Sequence, residues 1–164
     1  MSIYAVDKLM AETRRLASEY HRQTGQVLPV SAELAKYDAK RLLALTVPET
    51  VESGVDLIGQ DGEAEKKFQV KSRVVFTDQK SRPTVGQLNF QAAWDQTLLV
   101  IYSEDYEPQE IFSAAKDKLQ AALTENKPDK KNKAHKDKPK EKKEKTKCSV
   151  AKFKAISEQV WPQE

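Results

Sequence analysis

The spacing of apolar residues predicts helices at both ends of the chain. Residues 4–23 repeat apolar positions every three or four residues, with Asp7 in the first turn and Gly25 as the terminator. Residues 32–45 are rich in strong helix formers, and Ser31 is the predicted N-cap. Two further helices are predicted at residues 113–124, capped by Ser113, and at residues 149–161.

Between these helices the pattern changes to that of strands. Residues 97–102 are continuously apolar, which predicts a central strand buried on both faces. Residues 46–50, which include a proline, and residues 110–112 are expected to form short edge strands. Residues 85–94 fit either a short helix or a turn. The fold class predicted from this order of helices and strands is α/β.

The clearest local signal is a hairpin within residues 54–73. Two runs with the two-residue period of a half-buried strand flank an Asp-Gly turn at positions 61 and 62. Side chains alternate along a strand, so Gln69, Lys71 and Arg73 are expected on one face. Phe68, Val70 and Val74 are expected on the other, and the strand is expected to run to residue 76 with positions 74 and 75 fully buried.

Asp56 lies on the first strand of this hairpin and is expected to meet Gln69 and Lys71 across it. An acid, an amide oxygen and an ammonium on one sheet face suit a metal ion held beside a phosphate. The simpler interpretation is a solvated cross-strand ion pair between Asp56 and Lys71, worth under about 1 kcal/mol. That interpretation does not explain why Gln69 and Arg73 share the face.

Composition limits the class of protein. The chain has 164 residues, enough for one core, and its mean hydropathy of −0.72 with one cysteine predicts a soluble protein of a reducing compartment. No apolar run approaches a membrane span, and the N-terminus lacks the basic-then-apolar order of a secretory signal. We therefore expect a cytoplasmic location and no membrane partner. The histidines and the cysteine show no zinc spacing.

Charge is concentrated in one segment. Residues 127–147 hold eleven lysines and four acids, a charge of +7, whereas the rest has 17 basic and 21 acidic residues, a charge of −4. We expect a disordered Lys-rich insertion there, inside a single domain made of residues 1–126 and 148–164. The lysines either contact nucleic-acid phosphates or only solubilise the chain. The expected contacts are Lys127, Lys130, Lys131 and Lys133, with Arg73 on the hairpin.

An acid on one strand, a turn, and Gln-x-Lys on the next resembles the signature of the PD-(D/E)XK, or restriction endonuclease-like, nuclease superfamily. Its core is an α-β-β-β-α-β unit with a mixed central sheet flanked by helices, and the resemblance implies this core with extra N- and C-terminal helices. The matching residues are Asp56, Gln69, Val70 and Lys71, with Glu33 at an acid that many members place in the preceding helix. The resemblance covers residues 31–102, and the wider run is similar to a small, poorly characterised bacterial family within that superfamily.

The resemblance implies metal-dependent hydrolysis of phosphodiester bonds, with Mg²⁺ or Mn²⁺ as the cofactor and DNA as the expected substrate. Asp56 would be the central ligand, completed by the Gln69 side-chain oxygen and the Val70 carbonyl. Lys71 would orient or help deprotonate water and offset transition-state charge. Glu33 would bind metal through water or at a second position, although its place in a first helical turn has an electrostatic explanation of its own.

Gln69 departs from the superfamily's usual acid, which leaves less negative charge to hold a divalent ion. Glu33, or Glu49 or Glu52 before the hairpin, would have to compensate. The alternative function is therefore a catalytically inactive nuclease fold that binds nucleic acid or a protein partner. Many members of the superfamily dimerise, so a homodimer is within the expectation, although no interface is marked in the sequence.

Overall fold

The structure, a computed structural model, describes residues 5–61, 64–79, 82–124 and 147–163. The helices are α1 (Val6–Thr24), α2 (Ser31–Leu42), α3 (Lys116–Thr124) and α4 (Val150–Ile156). The strands are β1 (Leu57–Asp61), β2 (Ala64–Val74), β3 (Thr84–Gln87), β4 (Gln96–Tyr102), β5 (Pro108–Ala115), β6 (Lys147–Ser149) and β7 (Glu158–Trp161).

The main sheet is mixed and has the order β1-β2-β4-β5-β7. Strands β2 and β4 are parallel, and each of the other neighbouring pairs is antiparallel. Strands β3 and β6 form a separate two-stranded sheet. The mixed α/β class is confirmed, and β4 is the buried central strand that its continuous apolar sequence predicts.

Helices cover both faces of the main sheet. On the first face, α1 and α2 pack over a cluster that includes Leu57, Val70 and Leu98. On the second face, α3, α4 and the small sheet pack over a cluster that includes Leu99 and Phe112. Because Lys71 pairs with Leu99 and Arg73 with Ile101, these polar residues lie on the second face. The predicted alternation along β2 is thereby confirmed.

The hairpin forms as expected, with register from Asp61↔Ala64 to Leu57↔Phe68. Strand β2 nevertheless ends at Val74, and Val75 is exposed, so the expected fully buried extension is wrong. Residues 46–50 form no strand; Thr46 makes only an isolated bridge with Ile58.

The C-terminal half departs further from the prediction. Residues 110–112 belong to β5, an interior strand rather than an edge, which continues through Ser113 before α3 begins at Lys116. Residues 84–87 are a strand, so neither a helix nor a simple turn describes residues 85–94. The final helix is shorter than predicted because Ser157 is extended and β7 follows it. The expected docking of this segment is confirmed by the burial of Phe153.

Helix α1 runs from Val6 to Thr24, close to the predicted residues 4–23, and Gly25 ends it in the left-handed conformation at φ 70°. Its buried face agrees only in part with the apolar stripe: Ala17 is buried, but Leu9 and Leu16 are exposed and the charged Arg14 is buried. Helix α2 begins at Ser31, with Val30 at the N-cap position, so the predicted serine cap is wrong.

A buried ionic cluster joins α1, α2 and β4. The guanidinium of Arg14 bonds one oxygen of Asp38 and donates to the Tyr106 carbonyl at 2.7 Å. The hydroxyl of Tyr102 donates to the other Asp38 oxygen at 2.6 Å. Asp38 is fully buried, so this cluster satisfies a charge that would otherwise be costly to bury.

Residues 127–146 of the predicted Lys-rich insertion lie outside the described residues, and its last residue, Lys147, is the first residue of β6. In the described part of the chain, no helix combines the length and apolar character required to cross a membrane.

Candidate functional site

The loop before β1 is shaped by Gly54. This residue has φ 79°, and a Cβ atom placed on it would lie 2.6 Å from the Cβ of Ala92 and 3.1 Å from a ring carbon of Trp94. Only glycine satisfies both the conformation and the close approach. Val55 is then buried in the core, which fixes the backbone where Asp56 leaves the loop.

Asp56 takes the place of a strand partner for Val70. The Asp56 N–H donates to the Phe68 carbonyl at 2.8 Å, and the pairing of β1 with β2 goes no further. The next N–H of β2 on the side that faces β1, that of Val70, donates to Asp56 Oδ2 at 2.8 Å. In a strand, the N–H and C=O of one residue point to the same neighbour. The Val70 carbonyl therefore faces the same side as the Asp56 carboxylate.

Gln69 is buried on the second face of the sheet, with 9% of its surface exposed. Its side-chain oxygen accepts a long hydrogen bond of 3.5 Å from the Thr97 hydroxyl of β4. The amide oxygen therefore remains weakly engaged. Among the described contacts, no hydrogen bond joins Gln69 to Asp56.

Lys71 lies half-buried beyond Gln69. Burial lowers the pKa of the Lys71 ammonium, the negative charge of Asp56 opposes that shift, and the positive charge of Arg73 adds to it. This ammonium is thus close enough to Asp56 to feel its charge, in a less polar setting than bulk water.

Arg73 is engaged with backbone. Its Nε donates to the Thr84 carbonyl of β3, and its Nη1 donates to the Ser72 carbonyl at 3.2 Å. Burial lowers the pKa of its guanidinium. These contacts attach the small sheet to β2, and the predicted phosphate contact of Arg73 stays a prediction.

Glu33 approaches Asp56 only through a lysine. The Nζ of Lys36 lies 3.4 Å from Glu33 Oε1 and 3.6 Å from Asp56 Oδ1. The Glu33 side chain is 73% exposed, and that of Asp56 is 24% exposed. Lys36 is absent from the sequence prediction, although its position three residues after Glu33 on the helix is the spacing at which charges pair.

The two other acids considered as compensating ligands are placed differently. Glu52 is committed to Lys67, whose Nζ lies 2.8 and 2.9 Å from its two carboxylate oxygens. Glu49 is exposed in the loop before the hairpin. Neither is seen in contact with Asp56 among the described residues.

The structure thus brings Asp56 and Val70 into direct contact, with Lys71 nearby and Glu33 linked through Lys36. Within the described residues, no group of three or more acidic, histidine or cysteine side chains is arranged to hold a metal ion. Any metal bound here would have few protein ligands. Lys127, Lys130, Lys131 and Lys133 lie outside the described residues.

A groove of about 580 Å³ is separate from this site. It lies over the first face of the sheet, beside residues such as Leu45, Phe68 and Val160. None of Asp56, Gln69 and Lys71 lines it. We place the candidate site at the hairpin because the acid, the carbonyl and the half-buried ammonium are there.

Comparison with known proteins adds no family assignment. No protein-family model matches the chain, and no curated protein matches it in sequence. The resemblance to the nuclease superfamily therefore stays a prediction based on the motif and its setting.

Proposed function

We propose that the protein is a divalent-metal-dependent nuclease that hydrolyses phosphodiester bonds, with DNA as the expected substrate. One observation carries this proposal. The Val70 N–H binds the Asp56 carboxylate at the point where β1 stops pairing with β2. An acid and a backbone carbonyl are thereby directed to one place, beside a half-buried lysine.

Part of the fold agrees with the order of a restriction endonuclease-like core, although no strand forms at residues 46–50 and no helix forms between β3 and β4, where that core has one. Helix α2 precedes the hairpin, and the hairpin is followed by the buried parallel strand β4. The insertion of β3 and the strand β5 beside β4 add to that simple order. We retain the superfamily as the proposed fold relative.

The donor set suits Mg²⁺ or Mn²⁺ better than a softer ion. Mg²⁺ keeps several waters and accepts one or two carboxylates together with substrate phosphate oxygens. Asp56 and the Val70 carbonyl are hard oxygen donors, and Gln69 offers a third oxygen. Such an ion supplies Lewis acidity and an acidified water.

The chain's own groups would divide the remaining work. Asp56 would hold the ion, with its orientation fixed by the Val70 N–H. Lys71 Nζ would donate to a phosphate oxygen and offset the charge that develops there, which is worth most in a partly desolvated site. Gln69 of β2, which accepts a hydrogen bond from the Thr97 hydroxyl of β4, would offer its amide oxygen to the ion.

The decisive experiment measures cleavage of supercoiled plasmid, linear duplex, single-stranded DNA and RNA with Mg²⁺ or Mn²⁺. We expect cleavage by the wild type that is abolished by chelation and by Asp56→Asn. Arg82→Gln, an exposed substitution in the loop before β3, is the control and should retain activity. Metal-dependent cleavage that survives Asp56→Asn would refute the proposed site.

A second candidate function is supported by the Lys36 contact. A cation already lies beside Asp56, and Gln69 carries no charge, so the fold is also suited to binding nucleic acid or a protein partner without catalysis. Nucleic-acid affinity that is independent of metal and of Asp56, with no cleavage, would favour this candidate. A homodimer and a cytoplasmic location stay predictions from the sequence.

A further inference from the structure

Lys36 is the only cation seen within ion-pair distance of Asp56 in the described residues. It extends from α2, and its Nζ also lies 3.4 Å from Glu33. The ammonium thus occupies the space between the two carboxylates that the superfamily motif assigns to metal binding.

The contacts of Lys36 are looser than those of a fixed ion pair. Charge-assisted N–H···O bonds are commonly about 2.7–2.9 Å long. The Nζ of Lys67 lies within this range of the two Glu52 oxygens, at 2.8 and 2.9 Å, whereas the Nζ of Lys36 lies 3.6 Å from Asp56 Oδ1. Partly exposed pairs of this kind are worth about 0–1 kcal/mol. Lys36 is therefore held mainly by charge, and another cation can displace it.

A groove next to Asp56 would accommodate the displaced ammonium of Lys36. Lys36 and Lys40, one helical turn apart on α2, line this groove of about 440 Å³ together with Asp56. The loop residues Val47 and Val51 also line it. A phosphodiester strand in this groove would present its charge to both lysines.

We infer that Lys36 is the resident counter-ion of Asp56, which a divalent cation displaces and which then binds a substrate phosphate. This inference rests on the proposed function. It makes Lys36 a positioning residue that lowers metal affinity in the free protein and raises nucleic-acid affinity in the metal-bound protein. Metal and substrate binding are thereby coupled through one side chain.

The first test is calorimetric titration of the full chain with Mn²⁺, without nucleic acid. We expect Lys36→Met to bind Mn²⁺ roughly three- to tenfold more tightly than the wild type, because a competing positive charge is gone. Lys40→Met is the matched control and should change affinity by less than about twofold. Lys36→Gln, which keeps a polar side chain, guards against a folding defect in the methionine variant and should behave alike.

The second test measures duplex DNA binding with Ca²⁺ in place of Mn²⁺, using fluorescence anisotropy. Lys36→Met and Lys40→Met should each weaken binding and reduce its salt dependence by about one phosphate contact. An unchanged DNA affinity in Lys36→Met would overturn the inference that the displaced Lys36 binds a substrate phosphate.

Failure of the inference differs from failure of the proposed function. Mn²⁺ binding that requires Asp56 but is unaffected by Lys36→Met would overturn the role of Lys36 and leave the nuclease site standing. If neither the wild type nor Lys36→Met binds Mn²⁺ through Asp56, judged against Asp56→Asn, both proposals fail.

Discussion

The carboxylates of Asp38, a residue of α2, and of Asp56, which lies just before β1, have contrasting surroundings. Asp38 is fully buried, and its two oxygens are engaged by Arg14 and by the Tyr102 hydroxyl. Asp56 is 24% exposed; one oxygen accepts the Val70 N–H, and the other has only a loose contact with Lys36. The first carboxylate is saturated by the fold, whereas the second retains capacity to bind a ligand.

Asp38 and Asp56 differ in whether their charge is neutralised by partners within the protein. A buried carboxylate with all its partners inside the protein contributes to the folded state, and removal of one partner exposes the cost of burial. A carboxylate oriented by a single backbone N–H is held in place without being neutralised. We therefore predict that Asp38 contributes mainly to stability and that Asp56, under the proposed function, binds the metal ion.

The largest expected effect is that of Asp38→Asn. The substitution leaves the buried Arg14 without its counter-charge, so we expect the free energy of unfolding to fall by about 3–5 kcal/mol. Urea unfolding followed by circular dichroism measures it. The matched variant Asp56→Asn keeps an oxygen for the Val70 N–H and should lose less than about 1 kcal/mol. Equal losses in the two variants would end the distinction.

Gly54→Ala should have the next largest effect. Alanine at this position would have to adopt a left-handed backbone conformation, and its methyl group would collide with Ala92. We therefore expect the free energy of unfolding to fall by about 2–4 kcal/mol. Because Gly54 shapes the loop that delivers Asp56, Mn²⁺ affinity should fall as well. Gly25→Ala has the same backbone strain without a steric contact, and should cost less and leave Mn²⁺ binding intact. Weakened Mn²⁺ binding in Gly25→Ala would show that the effect is not local.

Tyr102→Phe probes the buried cluster by pH. The variant removes a hydrogen bond to Asp38, for a loss of about 1–3 kcal/mol at neutral pH. Burial and the bond to Asp38 raise the pKa of Tyr102 above its ordinary value of 10.0. Its contribution is therefore complete below pH 10 and declines above it, as the unfolded chain loses the proton first. The stability gap between wild type and variant should narrow as pH rises above 10; a constant gap would contradict this.

Lys71→Met should have the smallest effect on stability and a large one on activity. Burial lowers the pKa of Lys71 below its ordinary value of 10.5, so the unfolded chain binds this proton more tightly than the folded protein. The contribution of Lys71 to stability should therefore rise with pH between its lowered pKa and 10.5. At neutral pH, methionine should alter the free energy of unfolding by less than about 1 kcal/mol. Cleavage should fall about 10²- to 10³-fold. Unfolding curves and plasmid cleavage rates, measured on the same preparation, test both claims.

The sequence predicts the hairpin, the buried strand β4 and the faces of β2, because each depends on local alternation and one turn. It does not predict the buried face of α1. The apolar stripe of that helix includes Leu9 and Leu16, which are exposed, whereas Arg14 is buried. Arg14 pairs with Asp38 of α2 and lies over the Tyr102 ring of β4, 5.9 Å from its centre. Such pairing depends on tertiary structure and leaves no periodic signal.

The sequence likewise identifies only the part of the candidate site that depends on the local hairpin pattern. The hairpin pattern identifies Asp56 but predicts contacts with Gln69 and Lys71, whereas the observed hydrogen bond comes from the Val70 N–H. The contact of Lys36 with Asp56 depends on how α2 packs on the sheet. Strand β7 is missed because Val160 and Trp161 fit the helical spacing of the preceding residues, although they pair with β5. Short strands after a helix carry too few residues to establish a new period.

The most direct measurement is a crystal structure of the protein grown with Mn²⁺, examined by anomalous scattering at the manganese edge. We expect one peak within about 2.5 Å of an Asp56 carboxylate oxygen and of the Val70 carbonyl, with Lys36 turned away and no peak at Asp38. A well-ordered Asp56 without a manganese peak, or manganese bound elsewhere in the chain, would contradict the assignment of chemistry to Asp56.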